Sequence, residues 1–122
     1  MPITYAIDTK LRRVVTTLTG VLTVQDLLTH YSSVRADPQF HEDLDEICDL
    51  TGVGSVEISS REMSTLPNSV PFSARSHHAL IAARPAIVGL ARMFQQWSSD
   101  DTKTRVFTDL SAAEAWLQEP GN

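Results

Sequence analysis

Hydrophobic and polar residues alternate at the start of the chain. Ile3, Tyr5 and Ile7 are separated by Thr and Ala, which is the period-two pattern of a half-buried strand. The segment 13–19 is rich in Val, Thr and Leu, which favour strands, and Gly20 is expected to end it. The polar stretch between the two segments has the composition of a turn. The pattern therefore predicts an opening antiparallel hairpin.

Helix starts are marked by Ser or Thr residues that are followed three positions later by an acidic residue, the capping-box arrangement. These pairs are Thr23 with Asp26, Ser59 with Glu62, and Ser111 with Glu114. The first helix is expected to end at residues 36–37, because Pro38 disfavours helical geometry in the residue before it. The second helix is short and reaches about Leu66. A further helix is predicted from Pro85 to about Trp97, since proline is favoured in a first helical turn.

Three more strands are predicted, at 44–50, 79–82 and 104–107. Gly52 and Gly54 are expected to end the first of these. The second is wholly apolar, which is typical of a strand buried on both faces. The segment 67–76 contains two prolines and three serines, so we expect a loop and the most mobile part of the chain.

The predicted order β-β-α-β-α-β-α-β-α indicates an α/β fold. Two opening strands followed by alternating strands and helices give a mixed sheet with helices packed on it. The 122 residues are expected to form a single domain spanning residues 1–122, which is long enough to bury a core without metal or disulfide.

Composition narrows the classes of function. Hydrophobic residues make up 42% and charged residues 20%, as in globular proteins. The net charge of −5 disfavours binding to nucleic acid and to anionic membranes, which both require clustered Lys and Arg. No apolar run approaches the roughly 20 residues that span a bilayer, so we expect no integral membrane segment. A lone cysteine, Cys48, and the lack of a signal-peptide pattern predict a cytoplasmic protein.

Several segments, in their order and spacing, resemble one known fold group. They are Leu44–Val53, Gly89–Phe94, Val106–Leu110 and Ala115–Leu117. Together they are similar to the STAS (sulfate-transporter and anti-sigma-antagonist) group, in particular to its small stand-alone bacterial members that resemble sporulation anti-anti-sigma factors. The resemblance covers nearly the whole chain. It implies a STAS-like fold and a binding or regulatory role without catalysis.

The regulatory members of that group carry an Asp–Ser pair at the start of the helix after the central strand, and a partner kinase phosphorylates the Ser. The resemblance places Glu57 at the Asp and Ile58 at the Ser. Isoleucine has no hydroxyl group, so we predict that the phosphoserine switch is absent. Ser59 or Ser60 substitutes only if the alignment slips by a residue or two, and a helix cap is the preferred interpretation of Ser59.

The histidines and glycines of the sequence do not have the spacing of a known metal-binding or dinucleotide-binding motif. His77 and His78 are adjacent, so on a strand their side chains point to opposite faces. The segment 52–54 has two glycines after a strand, but Glu57 stands where a dinucleotide-binding loop needs its third glycine. We therefore predict neither a metal nor a cofactor.

Catalytic groups are equally sparse. Cys48 lies within an apolar strand and is interpreted as a small buried hydrophobe. The acidic residues Asp45, Glu46 and Asp49 are interpreted as solvated charge or as hydrogen-bonding groups at the end of the sheet. We predict that the protein is not an enzyme, and a weaker alternative is an enzyme that uses Asp49 with a histidine such as His78.

The first functional hypothesis is a module that recognises a protein partner or a second copy of itself. The predicted surface runs from the end of the central strand through the following helix. Its residues are Gly52, Val53, Gly54, Glu57, Ile58, Ser59 and Glu62.

The alternative hypothesis is a carrier or sensor of a small apolar or lipid-like ligand, as suspected for relatives similar to CRAL-TRIO lipid-transfer domains. The helix that begins at Pro85 carries more apolar residues than one core-facing stripe requires. The excess is expected either to line a pocket beneath the 67–76 loop or to form a homodimer contact. The predicted ligand-binding residues are Phe72, Leu90, Met93, Phe94 and Trp97.

Overall fold

The structure, a computed structural model, describes residues 2–97 and 103–119. One five-stranded sheet has the order β1-β2-β3-β4-β5. The strands are β1 (Ile3–Asp8), β2 (Arg13–Thr23), β3 (Asp45–Glu57), β4 (His78–Ile81) and β5 (Thr104–Phe107). The helices are α1 (Val24–Ala36), α2 (Ser60–Thr65), α3 (Pro85–Trp97) and α4 (Leu110–Leu117), and a single 3₁₀ turn, Leu66–Ser69, follows α2.

The sheet is mixed, as the sequence predicts. β1 and β2 form an antiparallel hairpin in which Ile3 lies opposite Leu18. β2, β3, β4 and β5 are parallel to one another, and helices lie in the connections between them. Parallel neighbours need such crossovers because the chain must return to the same end of the sheet. The α/β class and the order of elements are therefore confirmed.

The two faces of the sheet are covered unequally. α1, α2 and α3 share one hydrophobic cluster with β2, β3 and β4, in which Leu18, Met63 and Ala91 are buried. α4 covers the other face, where Trp116 packs against a smaller cluster that includes Ile47. Three helices thus meet over one face of the sheet, and their side chains pack into the space between the helices and the sheet.

Two strand ends were predicted wrongly, because glycine was expected to stop each strand. β2 passes through Gly20, which has a left-handed φ of 72°, and continues to Thr23. β3 passes through Gly52 and Gly54 and continues to Glu57. The two extensions pair with each other, with register shifts on either side of Gly20. The parallel ladder and a local bulge therefore carry both strands past residues that disfavour strands.

Two of the three predicted capping boxes are present. Thr23 and Asp26 cap α1, and Ser59 and Glu62 cap α2, each with both reciprocal hydrogen bonds. The prediction for the last helix was wrong, since its cap is Asp109, whose Oδ1 accepts a hydrogen bond from the Ala112 amide at 2.9 Å.

The segment predicted as a loop from residue 67 begins inside the 3₁₀ turn and is irregular only after it. Its Ser73 hydroxyl donates a hydrogen bond to Oδ1 of Asp43 at 2.5 Å, and its Ser76 hydroxyl donates to the Glu42 carbonyl at 2.8 Å. These bonds tie the segment to the start of β3.

Across the described ranges, no helix is long and apolar enough to cross a membrane.

Candidate functional site

A partly open cavity of about 70 Å³ lies between the sheet and the three helices α1, α2 and α3. β2 and β3 contribute side chains of one face, spaced two residues apart, because alternate residues of a strand share a face. α3 closes the cavity from above with Leu90 and Phe94, and α2 closes it with Met63. Most of the surface that these elements present to the cavity is apolar.

A group of polar side chains interrupts this apolar lining. We call it the polar cluster, and it comprises Thr16, His30, Tyr31, Glu46 and Cys48. Thr16 and Cys48 are partners across the β2–β3 ladder, and Glu46 lies two residues before Cys48 on the same face. α1 contributes His30 and Tyr31 to the lining of the cavity. The centroids of their two rings are 5.7 Å apart.

Glu46 is the acidic member of the polar cluster and is only 8% exposed. Its Oε1 lies 3.0 Å from Nδ1 of His78 on β4, and its Oε2 accepts a 3.4 Å hydrogen bond from the Thr16 hydroxyl. The sequence interpretation of Glu46 as a solvated or sheet-end charge was therefore wrong. Its neighbour Asp45 points to the opposite face and accepts a hydrogen bond from the His77 amide at 2.9 Å.

His30 and Tyr31 are 7% and 8% exposed, and neither side chain makes a hydrogen bond within the described residues. Burial lowers the pKa of His30, and the nearby Glu46 carboxylate opposes that shift. Burial also raises the pKa of Tyr31 well above its usual value, and Glu46 and Cys48 add to the rise. Both side chains are therefore neutral at pH 7, so each offers an uncharged hydrogen-bonding group to the cavity.

Cys48 is half-buried and lines the cavity. Burial raises the pKa of the thiol well above its usual value, and the carboxylates of Glu46 and Asp49 raise it further. A thiol in this setting stays protonated and is a poor nucleophile. It acts as a small, weakly polar part of the cavity wall.

A second cavity of about 120 Å³ lies on the other side of His78, beneath the segment that follows the 3₁₀ turn. Phe72 packs edge-on against His78 with centroids 5.0 Å apart, and edge-on against Phe40 at 5.3 Å. Phe94 lines both cavities. The Glu46–His78 pair and Phe94 therefore lie between the two spaces.

The predicted ligand-binding residues fall into three groups. Leu90 and Phe94 line the first cavity, and Phe72 lines the second together with Phe94. Met93 is half-buried and lines neither of these two cavities. Trp97 ends α3, and its side chain lies outside the described part of the structure.

The residues predicted to bind a partner differ in their exposure. Val53 is buried in the main core, and Ile58 lines the first cavity. Gly52, Gly54, Glu57 and Ser59 are exposed along the end of β3 and the start of α2, and Glu62 is half-buried. The Ser59 hydroxyl accepts a hydrogen bond from the Glu62 amide at 3.1 Å, which confirms its interpretation as a helix cap.

The histidine pair is arranged as the sequence predicts. The ring of His77 packs edge-on against Trp116 of α4, with centroids 5.6 Å apart, whereas His78 lies on the opposite face beside Glu46. Within residues 2–97 and 103–119, no three side chains of metal-ligand type come together.

Sequence reasoning missed the polar cluster as a site. A signal was present in β3, since Glu46, Cys48 and Leu50 have the same parity and thus share a face with apolar neighbours. In α1, Tyr31 follows the helical spacing of Leu27 and Val34, which indicates a core-facing residue but not a hydrogen-bonding role. His30 and Tyr31 are adjacent in the helix, and only the packing of α1 shows that both face the sheet.

A solved structure from Shewanella loihica PV-4 is similar to this chain along nearly its whole length. It is described as an uncharacterized protein from the DUF3478 family with a SpoIIAA-like fold. The TM-score is 0.60 at 16% sequence identity, and the match covers 94% of this chain and 93% of the other. This chain has a SpoIIAA-like fold.

The SpoIIAA-like fold is a STAS-like fold, so the resemblance inferred from the sequence is confirmed for the fold. At 16% identity the likeness concerns the fold alone. No family model matches the sequence, and no curated protein matches it. A SpoIIAA-like fold supports a STAS-like module, while the ligand or partner has to be argued from the site itself.

Proposed function

We propose that the protein is a non-catalytic STAS-like module that carries or senses a small apolar ligand in the cavity beneath α3. The observation that carries this proposal is the partly open, mostly apolar cavity between the sheet and α1, α2 and α3. Protein interiors are normally packed to the density of organic crystals, with few voids larger than a water molecule. A space of about 70 Å³ is larger than that and lacks the contacts that a ligand would supply.

The shape of the cavity bears on the size of the ligand. The cavity is small, at about 70 Å³, so it accommodates a compact group. Because the cavity is partly open, a longer ligand has room to extend beyond it. A short alkyl chain or a compact apolar molecule fits this geometry better than a complete membrane lipid.

Absence of catalysis is part of the proposal. Cys48 carries a protonated thiol, and Glu46 is engaged with His78 and Thr16. Asp49 accepts hydrogen bonds from Thr51 at the end of the sheet and does not meet His78, which lies on the other face. The weaker enzyme hypothesis of an Asp49–His78 pair therefore gains no support from the geometry.

The test is a titration of the purified protein with 1-chlorobutane, followed by amide chemical shifts in NMR spectra. Ala91 lines the cavity and is buried, so Ala91→Leu places extra carbon atoms in the space. Ala86→Leu makes the same change at an exposed position of the same helix and serves as the control. We expect saturable shifts at cavity residues in the wild type and in Ala86→Leu, and binding at least tenfold weaker in Ala91→Leu.

Equal affinity in all three proteins would contradict the proposal, because it would place the ligand outside the cavity. Lack of any saturable shift would contradict it as well.

Native mass spectrometry of the protein as purified, with analysis of an organic extract, is a second test. A ligand that occupies the wild type and is missing from Ala91→Leu would support the proposal.

We also propose a second function, recognition of a protein chain at the end of β3. β4 pairs with β3 only from Glu46 to Asp49, so the edge of residues 52–57 that faces away from β2 has no strand neighbour within the described ranges. Arg84 donates a hydrogen bond to the Val53 carbonyl on this stretch. An unpaired edge of this kind accepts an added strand through main-chain hydrogen bonds.

Self-association is the first form of this second function to test. Gly54 is exposed, and a Cβ atom there meets no atom closer than 3.9 Å, so Gly54→Lys adds a charge at a position that has room for a Cβ atom. In analytical ultracentrifugation, a dimer that the variant weakens at least tenfold would support pairing at this edge. A wild-type monomer at every concentration would exclude self-pairing.

A further inference from the structure

The polar cluster has unused hydrogen-bonding capacity that faces the cavity. Tyr31 and His30 are more than nine-tenths buried and make no hydrogen bond within the described residues. Among the described side chains, the only fully enclosed polar atom without a partner is Nε of Arg13. The hydroxyl of Tyr31 and the ring nitrogens of His30 therefore keep contact with open space, and both residues line the cavity.

Unpaired polar groups in such a place are informative because they cost free energy. A donor or acceptor that is mostly buried and unpaired loses part of its hydration, and a ligand group that bonds to it replaces that loss. Glu46 also has free capacity, since a carboxylate offers about four acceptor positions and the structure shows contacts only to His78 and Thr16. A donor, Tyr31, and an acceptor, Glu46, thus lie beside the same space.

The charge of the cluster limits what can bind. Burial is the main cause of the raised pKa of Tyr31 and of Cys48, and the Glu46 carboxylate, which lines the same cavity, adds to both shifts. No Lys or Arg of the described part of the chain lines the cavity. An anionic head group would therefore lose its hydration and meet a carboxylate without a balancing cation.

A cationic head group is also disfavoured. Glu46 already lies 3.0 Å from His78, and the remaining surface of the cavity is mostly apolar. An ammonium group would lose its hydration in this place and would share a single carboxylate with His78. A hydroxyl group has neither problem, because it carries no charge and has both a donor and acceptor positions.

We infer that the ligand is a small amphiphile with an apolar body and one neutral hydroxyl group, and that Tyr31 and Glu46 hold this hydroxyl while the apolar wall holds the body. The inference deepens the proposed function and rests on it. It adds a head-group preference to a site that the proposed function describes only as apolar.

The experiment compares probes that share a four-carbon chain and differ in the head group. 1-Butanol, 1-chlorobutane, butanoate and butylammonium are titrated into the wild-type protein and followed by amide chemical shifts. We expect 1-butanol to bind about threefold to tenfold more tightly than 1-chlorobutane, the ratio that one net hydrogen bond provides. Butanoate and butylammonium are expected to bind more weakly than 1-butanol.

Tyr31→Phe removes the hydroxyl group and keeps the ring. We expect it to reduce the preference for 1-butanol, since only the bond to Glu46 remains, and to leave the affinity for 1-chlorobutane unchanged. Tyr5→Phe is the matched control, since Tyr5 also contacts the His30 ring but bonds to Asp37 and does not line the cavity. A preference for 1-butanol that is as large in Tyr31→Phe as in the wild type would overturn the role of this hydroxyl.

Glu46→Gln tests the charge. We expect butanoate to gain at least tenfold in affinity, while 1-chlorobutane binds as before. Butanoate or butylammonium binding more tightly than 1-butanol to the wild type would overturn the inference.

The two levels of the account fail differently. Binding of 1-chlorobutane with no gain for 1-butanol overturns the head-group inference and leaves the proposed function standing. Failure of every probe to bind overturns both.

Discussion

The side chain of Asp109 provides the cap of α4, although Ser111 lies in the same stretch and has the sequence pattern of a cap. Asp109 has extended backbone angles, and its carboxylate accepts the Ala112 amide hydrogen. Loss of such a cap costs about 1 kcal/mol of stability. We expect Asp109→Ala to lower the free energy of unfolding by about that amount in urea denaturation, while Ser111→Ala changes it little. Equal effects of the two substitutions would contradict the assignment of the cap.

His30 makes the stability of the protein dependent on pH. Burial lowers its pKa below the ordinary value of about 6.5, so the unfolded chain takes up this proton before the folded protein does. The stabilisation due to the neutral ring is complete above about pH 6.5 and is lost as the pH falls through the lower, folded pKa. Stability from this group therefore rises with pH across that interval.

The measurement is urea denaturation at several values between about pH 7.5 and pH 5 for the wild type and for His30→Gln. The wild type should lose more stability on acidification than the variant, because the other histidines titrate in both proteins. Parallel pH profiles would contradict a neutral, buried His30.

At the scale of elements, the long β2–β3 ribbon depends on one special residue, Gly20. Its φ of 72° lies in the left-handed region, and the register of the ladder shifts beside it. A Cβ atom at Gly20 meets nothing within 4 Å, so the cost of alanine there is backbone strain alone. We expect Gly20→Ala to lower the free energy of unfolding by about 1 kcal/mol.

Gly54→Ala is the control on the facing strand. Gly54 has no left-handed φ, and a Cβ atom there would lie 3.9 Å from the nearest atom, the Gly20 carbonyl oxygen. The substitution should be nearly neutral. If both alanine variants were equally stable, Gly20 would not be needed for the bulge.

The elements were predicted well where the signal is local. Thr23 and Ser59 predict the starts of α1 and α2, because a helix cap depends only on neighbouring residues. Pro85 begins α3 as expected. Strand ends were predicted poorly at Gly20 and Gly52, because pairing between distant segments decides how far a strand extends. A glycine disfavours a strand by a fraction of the free energy that a paired ladder supplies.

At the scale of the whole molecule, the sequence predicts the α/β class and the STAS-like fold, but it predicts only some of the residues that line the cavity. Leu90 and Phe94 were predicted because α3 has more apolar residues than one stripe requires. Tyr31 and Glu46 were not predicted, since their meeting depends on how α1 packs across β2 and β3. The acidic side chain was interpreted as a solvated or sheet-end charge, although it shares the parity of Cys48 and Leu50 along β3.

The arrangement of the helices explains why the cavity is where it is. α4 alone covers one face, and its Trp116 and Leu117 fill the space against β3 and β4. On the other face three helices converge, and their junction is left partly unfilled above Cys48 and Leu80. The site therefore follows from the uneven division of helices between the faces of a SpoIIAA-like sheet.

Anomalous diffraction from a crystal pressurised with xenon tests most directly whether this junction is an open apolar site. Xenon enters dry apolar cavities without any need for a hydrogen-bonding head group, so it tests the cavity independently of ligand chemistry. We predict a xenon atom between Leu80 and Leu90 in the wild type and a vacant position in Ala91→Leu. Leu90 and Phe94 packed down onto the sheet, with no xenon between them, would contradict the account.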